Sequence, residues 1–322
     1  MTTTRLIRFG ALTYQAGTSA TPGTKKSYPA RNVSLTTLNV NMNDVRPWVG
    51  AAQPAAPVPG DWFSRLSFDM NINGQEGSAK APHIGRWLEA SGFGVSGTTA
   101  FTYAQGDPHT DGSTPDGVTA AVAAWVNIDG YEYSCPGMLA DGSIHFAAGQ
   151  VPYLHIDAEG FFGVGQTSAG QGGEVAQTTY GVFVTPISSQ LMSGTINGVS
   201  GLVISDFTYN FGNQISPQMD VNGVKGRSAP VIVSRVPTFN VRFKLDATAT
   251  IDPTALFLAG TSIAFSFTHN DGGTVFDELL VTWTGIITGV PQIEDQDGIS
   301  WWSISGIQDF STGALTLAWS DN

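Results

Sequence analysis

Two carboxylates two residues apart, Asp157 and Glu159, share one face of an extended segment, and five histidines complete the set of side chains suited to acid–base or metal chemistry. Glycoside hydrolysis needs two carboxyl groups facing each other across a cleft. Neighbours on one strand do not supply that, and a chain with 26 acidic residues contains such pairs by chance. His83, His109, His145, His155 and His269 are scattered over the chain with no His-Glu-x-x-His or comparable ligand spacing. For His145 and His155, which fall in alternating segments, exposed strand positions are the simplest expectation. Gly163-Val164-Gly165 lacks the Gly-Lys-Ser/Thr continuation of a phosphate cradle, and no Gly-x-Ser-x-Gly elbow occurs. The single cysteine, Cys135, excludes an intrachain disulfide and a thiolate metal cluster, and a buried, inert thiol is expected. These residues point to no enzyme, no metal and no cofactor.

The elements that would position any site are strands. Charged residues make up 12% of the chain while it holds 39 glycines and 17 prolines, a balance that favours short strands and turns over salt-bridged helices. Its 322 residues are enough for two domains. Leu66, Phe68, Met70 and Ile72 alternate with polar residues at period two, and Leu38, Val40 and Met42 alternate with Thr37, Asn39, Asn41 and Asn43. Between them Asp44 to Ser64 reads as a long loop, too apolar to be a solvated linker because it holds Val45, Trp48, Val49, Val58, Trp62 and Phe63. A short amphipathic helix is predicted within 81–92, a polar surface excursion over 94–120, and a hairpin around Asp129-Gly130 with further strands near 143–147 and 153–162. The Gly, Gln and Ser-rich segment 166–178 reads as a linker.

Beyond it the same order of signals recurs. Phe207, Tyr209 and Phe211 alternate with Asp206, Thr208 and Asn210, a long loop follows over 212–238, and Phe239 to Asp246 alternates again. A Pro-initiated helix is predicted over 252–260, then Ile263 to Phe267, the Asp271-Gly272 turn, and closing strands at 279–287, 301–306 and 314–319. The expected domains are therefore 1–165, with 94–120 inserted, and 179–322.

This order of strand, long loop, return strand, short helix and hairpins resembles the tail-tube proteins of long-tailed bacteriophages. The resemblance is carried by Leu66-Ser67-Phe68-Asp69-Met70 running into Ala81-Pro82-His83-Ile84-Gly85-Arg86-Trp87-Leu88-Glu89-Ala90-Ser91-Gly92-Phe93, and by Val126-Asn127-Ile128-Asp129-Gly130 running into Gly149-Gln150-Val151-Pro152-Tyr153-Leu154. It implies a mainly β fold, here two tandem β-sandwich or split-barrel domains, each with one flanking helix and a long stacking loop. It also implies a structural virion protein assembled into stacked rings around a DNA channel. With two copies per chain, three chains would close a ring of six-fold appearance.

On that reading Asn39, Asn41, Asn43, Arg65, Ser67, Asp69, Asn71, Asp206, Thr208, Asn210, Arg242 and Lys244 line the channel, and Trp48, Val49, Val58, Trp62, Met219, Val221 and Val224 carry ring-to-ring contact. The implied partners are further copies of the chain and the terminator, tape-measure and distal-tail proteins. DNA would pass without tight binding, since a formal charge of −12 is the wrong sign for holding phosphate. The N-terminus lacks the apolar core of a signal peptide and no stretch of 18 apolar residues occurs, so assembly in a cytoplasm into a virion, with no membrane insertion, is expected. A baseplate-hub or distal-tail subunit of the same fold is one alternative. A carbohydrate-binding β-sandwich is another.

Overall fold

The computed structural model describes residues 9–16, 26–28, 30–43, 58–72, 82–97, 100–106, 121–128, 131–161, 167–168, 193–222, 230–244, 251–270, 278–296 and 298–320. Within them the fold is mainly β with two short helices. Strands β1 (Phe9–Ala16), β2 (Lys26–Tyr28), β3 (Arg31–Asn43) and β4 (Val58–Asn71) precede helix α1 (Gly85–Ala90). Then come β5 (Phe93–Ser96), β6 (Thr102–Gln105), β7 (Val122–Ile128), β8 (Tyr131–Ala147), β9 (Tyr153–Phe161) and β10 (Thr167–Ser168). The second half contributes β11 (Ser193–Ile196), β12 (Val203–Asn210), β13 (Asn213–Ser216), β14 (Val231–Arg235) and β15 (Thr238–Lys244). Helix α2 (Pro253–Ala259) follows, with β16 (Ile263–Asn270), β17 (Glu278–Ile287), β18 (Gln292–Gln296), β19 (Ile299–Gln308) and β20 (Thr316–Ser320) closing the chain.

All the ladders are antiparallel, and one order of them occurs twice. In the first half β1 pairs β7, β7 pairs β8, and β8 pairs β10, while β3 pairs β4, β4 pairs β9, and β9 returns to the later part of β8. In the second half β11 pairs β16, β16 pairs β17, and β17 pairs β20, while β12 pairs β15, β15 pairs β19, and β19 returns to the end of β17 and to β18. The two sets are joined edge to edge, because β12 pairs β8 from Asp206↔Ala147 to Asn210↔Ser143. One sheet therefore runs β3, β4, β9, β8, β12, β15, β19, β18 across both halves.

Alternation decides which face each strand buries. Leu66, Phe68 and Met70 of β4, Leu154 and Ile156 of β9, Phe207 and Tyr209 of β12, and Phe239, Val241 and Phe243 of β15 are all buried. They face a second layer, as the ring contacts of Phe207 with Phe267 and of Phe239 with Phe265 require. The core is continuous through the join: Phe207 stacks on Phe146 of β8 at 4.5 Å and on Phe267 of β16 at 4.8 Å.

The helices form for different reasons. Asp252 caps α2 by accepting from the amides of Thr254 (2.9 Å) and Ala255 (3.1 Å), a device worth about 1 kcal/mol. Pro253 starts that helix and Gly260, at φ +59°, ends it. Helix α1 has no side-chain cap and is held by burial of Trp87, Leu88 and Ala90. Its Gly85 is required by packing, since a Cβ there would overlap the Tyr103 hydroxyl.

Several expectations change. The loop expected over 44–64 is shorter, because Val58 and Trp62 belong to β4, paired with Asn43 and Val40. The loop expected over 212–238 opens and closes as a ribbon of β13 with β14. The excursion expected over 94–120 begins as the hairpin of β5 and β6, which extends the second half's sheet by pairing β6 with β20. Tyr103 and Gln105 are buried there; residues 107–120 lie outside the described set. In the expected linker, Thr167–Ser168 pair with β8 as β10. The strand separated into pieces around 131 and 143–147 is one strand, β8, with Gly137 at φ +64° inside it.

Because one apolar cluster spans both halves, unfolding should follow a single cooperative transition in urea. Phe207→Ala, which removes the ring stacked between β8 and β16, should lower stability by about 3–5 kcal/mol without splitting that transition. Two separate transitions would show the halves to be independent.

Candidate functional site

The face of the shared sheet opposite the core carries almost all of its polar side chains, and the ladder registers set them side by side. One row crosses six strands: Arg31, Asp69, His155, Ser143, Asn210 and Thr238 are successive cross-strand partners. A second runs Asn71, Tyr153, His145, Thr208, Asn240 and Ser305. Cross-strand neighbours on one face lie close enough to interact directly.

His155 is the best-connected group of this face. Its Nδ1 lies 2.6 Å from Asp69 Oδ1 and its Nε2 lies 3.2 Å from Asp157 Oδ2. Both ring nitrogens face carboxylates, which accept and do not donate, so both bonds are made only by the imidazolium. Burial pulls its pKa down, but the hydrogen bond it donates to Asp69 and the charges of Asp157 and Asp69 outweigh that, and the net direction is up from 6.5. Asp69 is itself only 8% exposed, and its other oxygen accepts from Asn32 Nδ2 at 2.5 Å, which ties β3 to β4. His145 moves the other way: burial, and then the positive charge of His155, lower its pKa. It stacks on Tyr153 with ring centroids 4.6 Å apart and meets Ser143 at 2.7 Å. Neither histidine is the simple exposed position that the sequence suggests. His83 and His269 are buried off this face, and His109 lies outside the described residues.

Where β13 leaves the sheet, a groove of about 400 Å³ is lined by Ser34, Thr36, Arg65, Asp141, Asp157, Glu159 and Asn213. Asp141 is raised by burial, against the backbone hydrogen bonds it accepts, and stands opposite Asp157 in the ladder. Its Oδ1 accepts the Asn213 amide at 2.9 Å. Arg65 pairs with Glu159 at 3.1 Å from a mostly exposed position, a contact of small energetic value. At the far side Arg242 pairs with Glu294 at 3.2 Å and covers the Trp301 ring at 5.3 Å. Among the described residues no cluster of histidine, cysteine and carboxylate side chains has the arrangement of a metal site. Cys135 is buried, its thiol pushed up to about 11 by desolvation.

The structure thus gathers Arg65, Ser67, Asp69, Asn71, Asp206, Thr208, Asn210, Arg242 and Lys244 onto one polar face, although Asp69 is too buried to meet solvent freely. The side chains of Asn39, Asn41 and Asn43 lie outside the described residues, as do Trp48, Val49 and Val224 and the side chains of Val58 and Trp62. Met219 and Val221 are exposed beyond β13. Asn32, Ser143, Tyr153 and Asp141 also belong to this face, and alternation in β8 and β9 is the signal in the sequence that could have placed the last three.

No protein-family model matches the chain, and no curated protein matches it. No helix among the described residues is long and apolar enough to cross a membrane.

The His155 contacts predict a pH dependence of known sign. Its pKa is raised on folding, so its contribution is complete below the unfolded value near 6.5 and is lost as pH rises through the higher folded value. Thermal midpoints measured from pH 6 upward should fall more steeply for the native chain than for His155→Gln, which has no proton to lose. Parallel curves would remove the imidazolium from this account.

Proposed function

We propose that this protein is a structural subunit of a bacteriophage tail, forming stacked rings around a channel for DNA. The observation that carries the reading is the ladder order that occurs twice, with the two sets already joined side by side by β8 and β12. Such a join can be repeated between chains. Among the described residues β3 pairs only with β4 and β18 only with β19, so the shared sheet ends in two open edges. Open edges template association, and closure into a ring removes them. In a closed ring the polar rows would face the channel and the apolar face would stay within the layers.

Two ladder sets per chain give three chains for a ring with six-fold pseudo-symmetry, and its head-to-tail contacts obey the closure rule for cyclic assemblies. The channel face mixes Asp69, Asp157 and Asp206 with Arg65, Arg242 and Lys244 in a chain of net charge −12, which suits passage of DNA and not retention. The partners on this reading are other copies, then the tail's terminator, tape-measure and distal-tail proteins.

Electron microscopy and native mass spectrometry of the purified protein should find closed rings of three chains that stack into tubes. A stable monomer that binds polysaccharide, or a ring of six chains, would overturn the reading. In gel-shift assays at physiological salt the protein should leave duplex DNA unretarded; retention that weakens steeply with added salt would count against a passive channel.

A further inference from the structure

Helices α1 and α2 hold corresponding places in the two ladder sets, each following the return strand of its set, yet they differ in cover. In α1, Trp87, Leu88 and Ala90 are buried; in α2 only Pro253 is, and Leu258 is 76% exposed. The ribbon of β13 and β14, which arrives from the other half, meets the turn that ends α1. Arg235 of β14 donates to the carbonyls of Ser91 and Gly92 just beyond the helix and to that of Gly106 after β6. Asn213 of β13 donates to Ser91 O and Ala140 O, both at 2.9 Å, and accepts from Arg235 Nε at 2.6 Å. Ile232 lies over Gly92. This docking accompanies the β8–β12 join: the strand that enters from the next set brings its ribbon onto the turn that ends the preceding set's helix.

The first set has the same ribbon. The far ends of β3 and β4 pair from Asn39↔Phe63 to Asn43↔Val58, in the place that β13 and β14 occupy in the second set. Among the described residues no other set adjoins its β3 edge. The edge that matches β8 in the second set is β18, where Ile293 is 61% exposed, whereas Phe146 of β8 is buried under Phe207. Charge is complementary as well, since β18 carries Glu294 and Asp295 and β3 begins with Arg31.

We infer that the C-terminal end of α2, with the exposed Leu258 in its last turn and Ile293 of β18 beside the join, docks the β3–β4 ribbon of a second copy of this chain, as the end of α1 docks the β13–β14 ribbon within it. The inference rests on the ring reading and gives Val58 and Trp62 a lateral role, between neighbours in one ring, in place of the axial one expected from sequence. The ribbon's segment Val58-Pro59-Gly60-Asp61-Trp62 is largely apolar, which fits Leu258 better than the arginine that serves α1.

The test is a mixed disulfide. One variant carries Leu258→Cys, and three others carry Val58→Cys, Pro59→Cys or Trp62→Cys, of which the adjacent positions 58 and 59 sample both faces of the ribbon. Cys135 is buried and does not compete. On mild oxidation, mixing the Leu258→Cys chain with a ribbon variant should give a cross-linked pair that neither gives alone, linked between position 258 and the ribbon by mass spectrometry. Leu258→Lys should keep the monomer's thermal midpoint, because the side chain is exposed there, and should abolish rings. Rings that form with no such cross-link, or that survive Leu258→Lys, overturn this contact and leave the ring reading standing. A wild-type chain that stays monomeric and never cross-links overturns both.

Discussion

The fold depends on the pairing of β8, which has ladder partners in both layers. Buried amide and carbonyl groups must be paired, and this strand runs from one layer into the other. Its first part pairs with β7, and at Tyr131 and Glu132 also with β10; its later part pairs with β9, and from Ser143 to Ala147 with β12. Proline at 136 donates no amide, and Gly137 at φ +64° allows the bend where one set of partners gives way to the next. The last partner, β12, belongs to the other half of the chain. Satisfying β8 therefore joins the two ladder sets, and Phe146 on Phe207 seals the apolar side of the join while His145 with Thr208 continues the polar side.

A second layer of ties follows from that join. Gln105 of β6 donates to Phe211 O at 3.3 Å and accepts the Tyr209 hydroxyl at 3.0 Å, so a hairpin of the first half is bonded to a strand of the second inside the core. Such groups are costly to bury unpaired, and here each completes the other. The same economy explains Gly142, where a Cβ would lie 2.4 Å from His155 O and close to the Phe211 ring.

What could be read in the sequence is what repeats at short range. Leu66, Phe68 and Met70, and again Phe239, Val241 and Phe243, declare their buried face by alternation, and Asp252-Pro253 with Gly260 declares a helix by its two ends. Asp141-Gly142 and Pro136-Gly137 mislead because they carry turn chemistry inside a strand; glycine is there for close approach and for one bend. The hairpin of β5 and β6 is hidden for the opposite reason, since its strands are short and owe their pairing to β20, more than 200 residues further along. His155 looks like a surface residue because Asp69, 86 residues away, is brought opposite it only by the register of β4 on β9.

Register is also what makes the polar face a single object. Each strand contributes an alternating set whose partners depend on every ladder between β3 and β18, and a slip of one residue in any of them would turn its polar set into the core. The apolar face allows no such slip, because Phe68, Ile156, Phe207 and Val241 are all fully buried. Two halves that share little sequence can therefore hold one continuous surface: conserving which positions are buried is sufficient to conserve which side chains stand in line, whatever those side chains are. The polar rows are free to vary in chemistry, and the buried positions are not, because each must fill the layer it faces.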